Sequence, residues 1–139
     1  MNNRAVPLLA ATACLGILFT ASPADASDHV RPVCTIVGTA GDDVLQGTPG
    51  NDVICGLGGD DIIIGGLGDD VLVGDSGDDL LVGGPGSDRL YAGDGEDQLV
   101  DSGARGTVDG GDGTDLCVAV SGSTTRECER LFTRPGTNV

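Results

Sequence analysis

Aspartate residues recur at intervals of nine along most of the chain. The series consists of Asp43, Asp52, Asp61, Asp70, Asp79, Asp88, Asp97 and Asp115, and it is interrupted once, at Gly106. A glycine stands two residues before each of these aspartates, and a residue that can be buried stands two residues after it. Carboxylates that recur in repeated turns are brought close together, where they repel one another and attract cations. The pattern therefore predicts a repeated turn, and the excess of acidic residues favours cations as partners.

The elements that must position these carboxylates share the same period of nine residues. The period runs from Gly38 to Val118 without an insertion or deletion, in the units GTAGDDVLQ, GTPGNDVIC, GLGGDDIII, GGLGDDVLV, GDSGDDLLV, GGPGSDRLY, AGDGEDQLV, DSGARGTVD and GGDGTDLCV. The first six residues of a unit have the composition of a turn and the last three that of a strand. Since side chains alternate along a strand, the eighth position is expected to face the core. The eighth residues are Leu45, Ile54, Ile63, Leu72, Leu81, Leu90, Leu99, Val108 and Cys117.

These units resemble the RTX repeat, also called the haemolysin-type calcium-binding repeat, which has the consensus G-G-x-G-x-D-x-U-x. Residues 65–73 (GGLGDDVLV) match every fixed position of that consensus, and the resemblance covers residues 38–118. It implies an all-β fold, a right-handed parallel β-roll of about nine nonapeptide units with end caps. In such a roll two consecutive units form one coil, and Ca²⁺ lies between stacked turns.

The resemblance also implies the ligands, which are backbone carbonyl oxygens of the turns and the eight position-six aspartates named above. Because each unit stacks on the second unit after it, these aspartates divide into two rows. The odd row is Asp43, Asp61, Asp79, Asp97 and Asp115, and the even row is Asp52, Asp70 and Asp88. Four sites in the odd row and two in the even row make about six Ca²⁺ ions. The acids at position five (Asp42, Asp60, Asp69, Asp78 and Glu96) are expected to be solvated charges.

Unit eight (DSGARGTVD) departs from the consensus, because it has Gly106 at position six and Ala104 at position four. Arg105 also stands where this turn would approach a metal. We therefore expect the even row to end after Asp88. The alternative is a weaker site in which water or a backbone oxygen replaces the missing carboxylate.

The charge of the chain restricts its partners and its folding. The net charge is −15, which excludes nucleic acid and anionic membrane surfaces as natural partners. About one buried side chain per unit cannot offset an ordering entropy of roughly 1–2 kcal/mol per residue. We expect the chain to be largely unfolded without Ca²⁺ and to fold when Ca²⁺ binds.

The N-terminal segment has the layout of a secretory signal peptide. Arg4 precedes an apolar run at residues 6–20, and Ala24 and Ala26 are small residues at the positions that a signal peptidase reads. A retained membrane anchor is the alternative, although the run is short of the about 20 apolar residues of a membrane span. We expect a signal peptide at 1–26, an N-terminal cap at 27–37, the roll at 38–118, a C-terminal cap or tail at 119–139, and an extracellular protein.

Four cysteines follow the expected cleavage point, and an even number in a secreted chain suggests two disulfides. In the roll that the resemblance implies, units two and nine are roughly 17 Å apart at about 4.8 Å per coil. Bridged Cα atoms lie within about 7 Å, which excludes a bridge from one end to the other. The remaining pairing is Cys34 with Cys55 and Cys117 with Cys128, and free thiols are the alternative.

The sequence contains no catalytic constellation. Its single histidine is His29, and no HExxH motif, Ser/His/Asp set or Cys/His pair can be assembled, so we expect no enzymatic activity. The expected function is that of a secreted calcium-binding β-roll protein that folds on binding Ca²⁺. The alternative is a calcium-dependent interaction or adhesion protein of the cell surface or matrix.

The outward strand positions are unusually apolar in units two to five. They are Val53, Ile62, Ile64, Val71, Val73, Leu80 and Val82. Such a patch favours self-association or a surface partner. The alternative reading is β-propensity alone, since β-branched residues favour strands.

Overall fold

The computed structural model describes residues 33–120 and 122–134. The predicted signal peptide and His29 lie outside these residues. The described residues form twelve strands, and none of them forms a helix long and apolar enough to cross a membrane. The strands are β1 (Ile36–Val37), β2 (Val44–Gln46), β3 (Val53–Cys55), β4 (Ile62–Ile64), β5 (Val71–Ser76), β6 (Leu80–Val82), β7 (Arg89–Gly95), β8 (Gln98–Asp101), β9 (Thr107–Gly113), β10 (Leu116–Val120), β11 (Thr124–Arg126) and β12 (Arg130–Arg134).

The strands form two sheets of six, in the orders β1-β3-β5-β7-β9-β11 and β12-β10-β8-β6-β4-β2. The pairs in both sheets are parallel. Because consecutive strands alternate between the sheets, each turn carries the chain from one sheet to the other, and two units form one coil. The predicted fold class, an all-β parallel roll, is confirmed.

The register aligns equivalent residues of every second unit. Leu72 pairs with Ile54 on one side and Leu90 on the other, so each eighth position stacks on the eighth position two units away. These side chains form the core, as expected from the period of nine. Eight of the nine are fully buried, and Leu45 packs against the core while partly exposed. Ala92 and Ala119 add small buried side chains.

Both ends of the roll carry a disulfide. Cys34 is bonded to Cys55 and Cys117 to Cys128, each with a Cα–Cα distance of 5.9 Å. This is the pairing expected for a roll. At the C-terminal end, β11 pairs with β9 and β12 pairs with β10, so each sheet gains one strand beyond the last repeat.

The outward apolar positions are less exposed than a free patch would be. Of the seven residues predicted to form it, Ile62 is 39 % exposed, and the other six are half-buried. Val44, which precedes Ile62 in the same row of the sheet, is 74 % exposed. The outward apolar surface is therefore concentrated near the N-terminal end of the roll.

Candidate metal centre

The position-six aspartates are stacked by hydrogen bonds from one turn to the next. In each row, the Oδ1 atom of an aspartate accepts a hydrogen bond from the backbone N–H of the aspartate two units earlier. Six such bonds, of 2.7–3.0 Å, link Asp43 through Asp115 in the odd row and Asp52 through Asp88 in the even row. The structure thus brings together the eight aspartates predicted from the sequence, in the two predicted rows.

The second carboxylate oxygen of most of these aspartates is buried without a donor. The Oδ2 atoms without a hydrogen-bond partner belong to Asp61, Asp70, Asp79, Asp88, Asp97 and Asp115. All six residues are at most 2 % exposed. An ionised oxygen that is buried without a donor or a cation is costly. Protein groups therefore satisfy only one oxygen of each carboxylate, and the other is available to a cation.

The first aspartate of each row is satisfied differently. Thr39, at position two of its unit, donates its N–H (2.6 Å) and its hydroxyl group (2.9 Å) to Oδ2 of Asp43. Thr48 does the same for Asp52, with the same two distances. Sequence reasoning did not identify this role, although a threonine stands at position two in the first two units only. Local donors thus satisfy the carboxylate that begins each row.

Burial makes the interior aspartates resist ionisation in the metal-free fold. It raises the pKa of Asp79 from 3.8 to about 6, although the N–H of Asp61 donates to that carboxylate and lowers its pKa, and the nearby charges raise it further. Burial likewise raises the pKa of Asp97 to about 6, and it raises the pKa of Asp61, Asp70 and Asp88. A divalent cation between the turns would favour the ionised form of these groups.

Backbone carbonyl oxygens face the same spaces, and glycine leaves those spaces open. A Cβ on Gly74, at position one, would meet Oδ2 of Asp79 and lie 2.7 Å from the carbonyl oxygen of Ala92 in the next coil. A Cβ on Gly68, at position four with φ of 116°, would lie 2.9 Å from the carbonyl oxygen of Gly50. Each space between turns is therefore bordered by carbonyl oxygens and by a carboxylate.

This donor set fits Ca²⁺, which takes 6–8 oxygen ligands in flexible geometry. Among the described residues, no three His, Cys, Asp or Glu side chains form a group that could hold a metal. The further protein oxygens that border these spaces are backbone carbonyl oxygens beside the carboxylates. The ligand atoms that border these spaces are carboxylate and carbonyl oxygens, which suit calcium better than zinc.

The acids at position five have a structural role that the sequence did not indicate. Oδ1 of Asp42 accepts the N–H of Asp60 (3.0 Å), Oδ1 of Asp60 accepts that of Asp78 (3.0 Å), and Oδ1 of Asp78 accepts that of Glu96 (2.9 Å). Equivalent bonds join Asn51, Asp69 and Ser87 in the other row. These bonds run in the opposite direction to those of position six. The position-five acids are exposed, as expected. The hydrogen bonds by which they join successive coils were not expected from the sequence.

The turn of unit eight is built differently from the others. Gly106 occupies position six, and Asp101 occupies position one, where other units have glycine or alanine. Asp101 is 2 % exposed. Its Oδ1 accepts the N–H of Gly103 (2.8 Å), and its Oδ2 accepts the hydroxyl group of Ser123 (3.0 Å). Arg105, expected near the metal, is exposed.

Parallel coils joined by glycine-rich turns, with stacked carboxylates and carbonyl oxygens between them, define a calcium-binding β-roll. The family model of the RTX calcium-binding nonapeptide repeat (4 copies) matches residues 37–72 and 64–99. Residues 37–99 of the chain therefore match the RTX calcium-binding nonapeptide repeat, which is a structural calcium-binding repeat. Comparison with curated proteins and with solved structures finds no match to the chain.

Proposed function

We propose that this protein is a secreted calcium-binding β-roll that folds when Ca²⁺ binds between its stacked turns. The observation that carries this proposal is the set of six buried Oδ2 atoms without a hydrogen-bond partner. In each of these carboxylates the other oxygen, Oδ1, already accepts a backbone hydrogen bond that joins two coils. A bound cation supplies the missing interaction.

The proposed ligands are the eight position-six aspartates with the carbonyl oxygens around them. The odd row holds four ions, between Asp43 and Asp61 and at each following pair up to Asp115. The even row holds two ions, one on each side of Asp70. Six divalent ions bring twelve positive charges to a chain with a net charge of −15. Binding thus cancels most of the repulsion that opposes compaction.

Metal binding and folding are coupled in this proposal because the core is thin. Each unit contributes one main core side chain, and the turns between them are rich in glycine, which loses the most freedom on ordering. The turns also bring carboxylates together, and burial opposes their ionisation. The free energy of metal binding then becomes free energy of folding.

Secretion supplies the conditions that such a fold needs. Two disulfides form and persist in oxidising compartments outside the cytosol. The predicted signal peptide at residues 1–26 agrees with export, and Ca²⁺ is abundant outside cells. The protein would leave the cell unfolded and fold where calcium is available.

Far-UV circular dichroism tests this function. The protein in EGTA at pH 7 should give a coil spectrum, which a Ca²⁺ titration converts cooperatively to a β spectrum. Mg²⁺ is the control, since it demands near-octahedral geometry and dehydrates reluctantly. A full β spectrum in EGTA would reject folding on binding, and a protein that binds no Ca²⁺ would reject the function itself.

A second candidate function is calcium-dependent self-association through the outward apolar row of β2, β4 and β6. Val44, Ile62 and Leu80 are neighbours in that row, and the first two are exposed. Light scattering with and without Ca²⁺ tests the candidate, with the double variant Val44→Thr and Ile62→Thr as the control. A calcium-loaded protein that stays monomeric at all concentrations would exclude it.

A further inference from the structure

Unit eight exchanges the residue types of two positions that face each other across the turn. In regular units, a Cβ on the position-one glycine would meet Oδ2 of the position-six aspartate of the same unit, as Gly74 and Asp79 illustrate. In unit eight the relation is reversed. A Cβ on Gly106, at position six, would meet Oδ2 of Asp101 and lie 3.1 Å from its Cγ. The carboxylate of Asp101 therefore extends across the turn, toward the place from which position six supplies its carboxylate elsewhere.

The preceding turn of the even row has a carboxylate oxygen without a hydrogen-bond partner. Asp88 is fully buried, and its Oδ2 has no hydrogen-bond partner. Asp101 carries the charge that acts most strongly on the Asp88 carboxylate, ahead of that of Asp70 in the preceding coil. The same Cβ on Gly106 would lie 2.7 Å from the carbonyl oxygen of Asp88, so the two turns are in close contact.

From these contacts we infer that Asp101 replaces the carboxylate missing at Gly106 and completes a third calcium site in the even row, between the turns of units six and eight. This inference rests on the proposed calcium-binding function. It raises the expected number of ions from six to seven. It also replaces the expectation that the even row ends after Asp88.

Neighbouring groups hold the Asp101 carboxylate in this position. The N–H of Gly103 donates to Oδ1, and the hydroxyl group of Ser123 donates to Oδ2. The same hydroxyl oxygen accepts the N–H of Gly106 at 3.2 Å, which joins the two sides of the turn. Each carboxylate oxygen accepts one hydrogen bond and retains lone-pair capacity for a cation.

A backbone ligand of the regular turn is present as well. In regular turns, the carbonyl oxygen of position four faces the next coil, as at Gly50 below Gly68. In unit eight, the carbonyl oxygen of Gly86 faces Gly103 in the same way, although Gly103 is at position three. In unit eight the residue that covers this carbonyl oxygen is thus at position three instead of position four, and the oxygen of Gly86 still faces the turn.

Native mass spectrometry with Ca²⁺ alone counts the ions. The wild-type protein should bind seven ions and Asp101→Asn six. Asp94→Asn, which removes an exposed carboxylate from the neighbouring turn, should keep seven. The double variant Asp101→Gly with Gly106→Asp restores the regular order of residue types and should also bind seven.

The outcomes separate this inference from the function on which it rests. A wild-type count of six, or an unchanged count of seven in Asp101→Asn, overturns the role of Asp101 and leaves the calcium-binding function intact. A wild-type protein that binds no calcium overturns the function itself. If Asp101→Asn fails to fold, the wild-type count is compared with that of the double variant, whose even row is regular. Equal counts support the site at Asp101, and one ion fewer in the wild type contradicts it.

Discussion

Replacing Asp79 by asparagine should change the stability of the metal-free and the calcium-loaded protein in opposite directions. Asp79 lies in the middle of the odd row and is 2 % exposed. Its Oδ1 accepts the N–H of Asp61 at 2.8 Å, and its Oδ2 has no hydrogen-bond partner. Asparagine keeps the accepting oxygen and replaces the charged oxygen with a neutral NH₂ group. The carbonyl oxygen of Ala92 borders the same space and can accept from that group.

The magnitude follows from the pKa of this carboxyl group. Burial raises the pKa from 3.8 to about 6, so the ionised form costs the metal-free fold about 3 kcal/mol at pH 7, at 1.36 kcal/mol per pKa unit. The asparagine variant lacks this cost, so its metal-free fold should be more stable by up to about 3 kcal/mol. With Ca²⁺ the sign reverses, because Asp79 borders two proposed sites. Each tenfold loss of affinity costs about 1.4 kcal/mol.

The assay must report on both states. In EGTA, the concentration of an excluded osmolyte needed to induce the β spectrum measures the stability of the metal-free fold. In saturating Ca²⁺, urea unfolding measures that of the loaded protein. The matched control is Asp78→Asn, an exposed neighbour whose Oδ1 accepts the N–H of Glu96, a bond that asparagine keeps. Equal effects of the two variants, or a metal-free Asp79→Asn that needs more osmolyte than wild type, would refute the reasoning.

Three further predictions concern pH, turn space and the disulfides. The pKa values of Asp79 and Asp97 are raised to about 6. The metal-free fold is therefore most stable below pH 3.8 and loses stability as the pH rises through 6. Circular dichroism in EGTA should show more β signal at pH 4 than at pH 7. An equal β signal at the two pH values would contradict the raised pKa of these buried aspartates. Gly74→Ala should weaken Ca²⁺ binding in calorimetry, because its Cβ would meet the Asp79 carboxylate. The control is Gly41→Ala, whose Cβ meets nothing within 4 Å and which should leave binding unchanged. Equal effects of the two variants would be inconsistent with the proposed site. Removing either disulfide, with sequence separations of 21 and 11, should cost about 3 kcal/mol in urea unfolding of the loaded protein, and an unchanged midpoint would exclude this contribution.

Much of the architecture could be predicted because the period of nine constrains every unit in the same way. The eighth position was predicted to form the core, and eight of its nine residues are fully buried. The two rows of aspartates were predicted from the stacking of every second unit, and hydrogen bonds join them in that arrangement. A repeated backbone places equivalent side chains in equivalent surroundings, so one correct assignment extends along the array.

The exceptions could not be predicted, because they depend on contacts between residues in different phases of the repeat. Thr39 was not recognised as a partner of Asp43, since that contact requires the local path of the first turn. The C-terminal strands lie outside the period: Leu116 pairs with Arg130, whereas repeat strands pair at a separation of 18 residues, as Ile54 and Leu72 do. The resulting turn brings Ser123 to Asp101 from a segment without repeat character.

The sequence alone determined the period, the core positions, the rows of carboxylates and the excess of negative charge, because these depend on residue type and spacing. The tertiary structure decided which carboxylate oxygens have partners and which remain free. It also decided that the carboxylate of Asp101 lies beside Gly106, in a turn that contacts the backbone of Asp88, although Asp101 stands at position one of its unit. This placement arises from the path of the turn, which brings positions one and six of a unit close together. A carboxylate at either position can therefore extend into the same space.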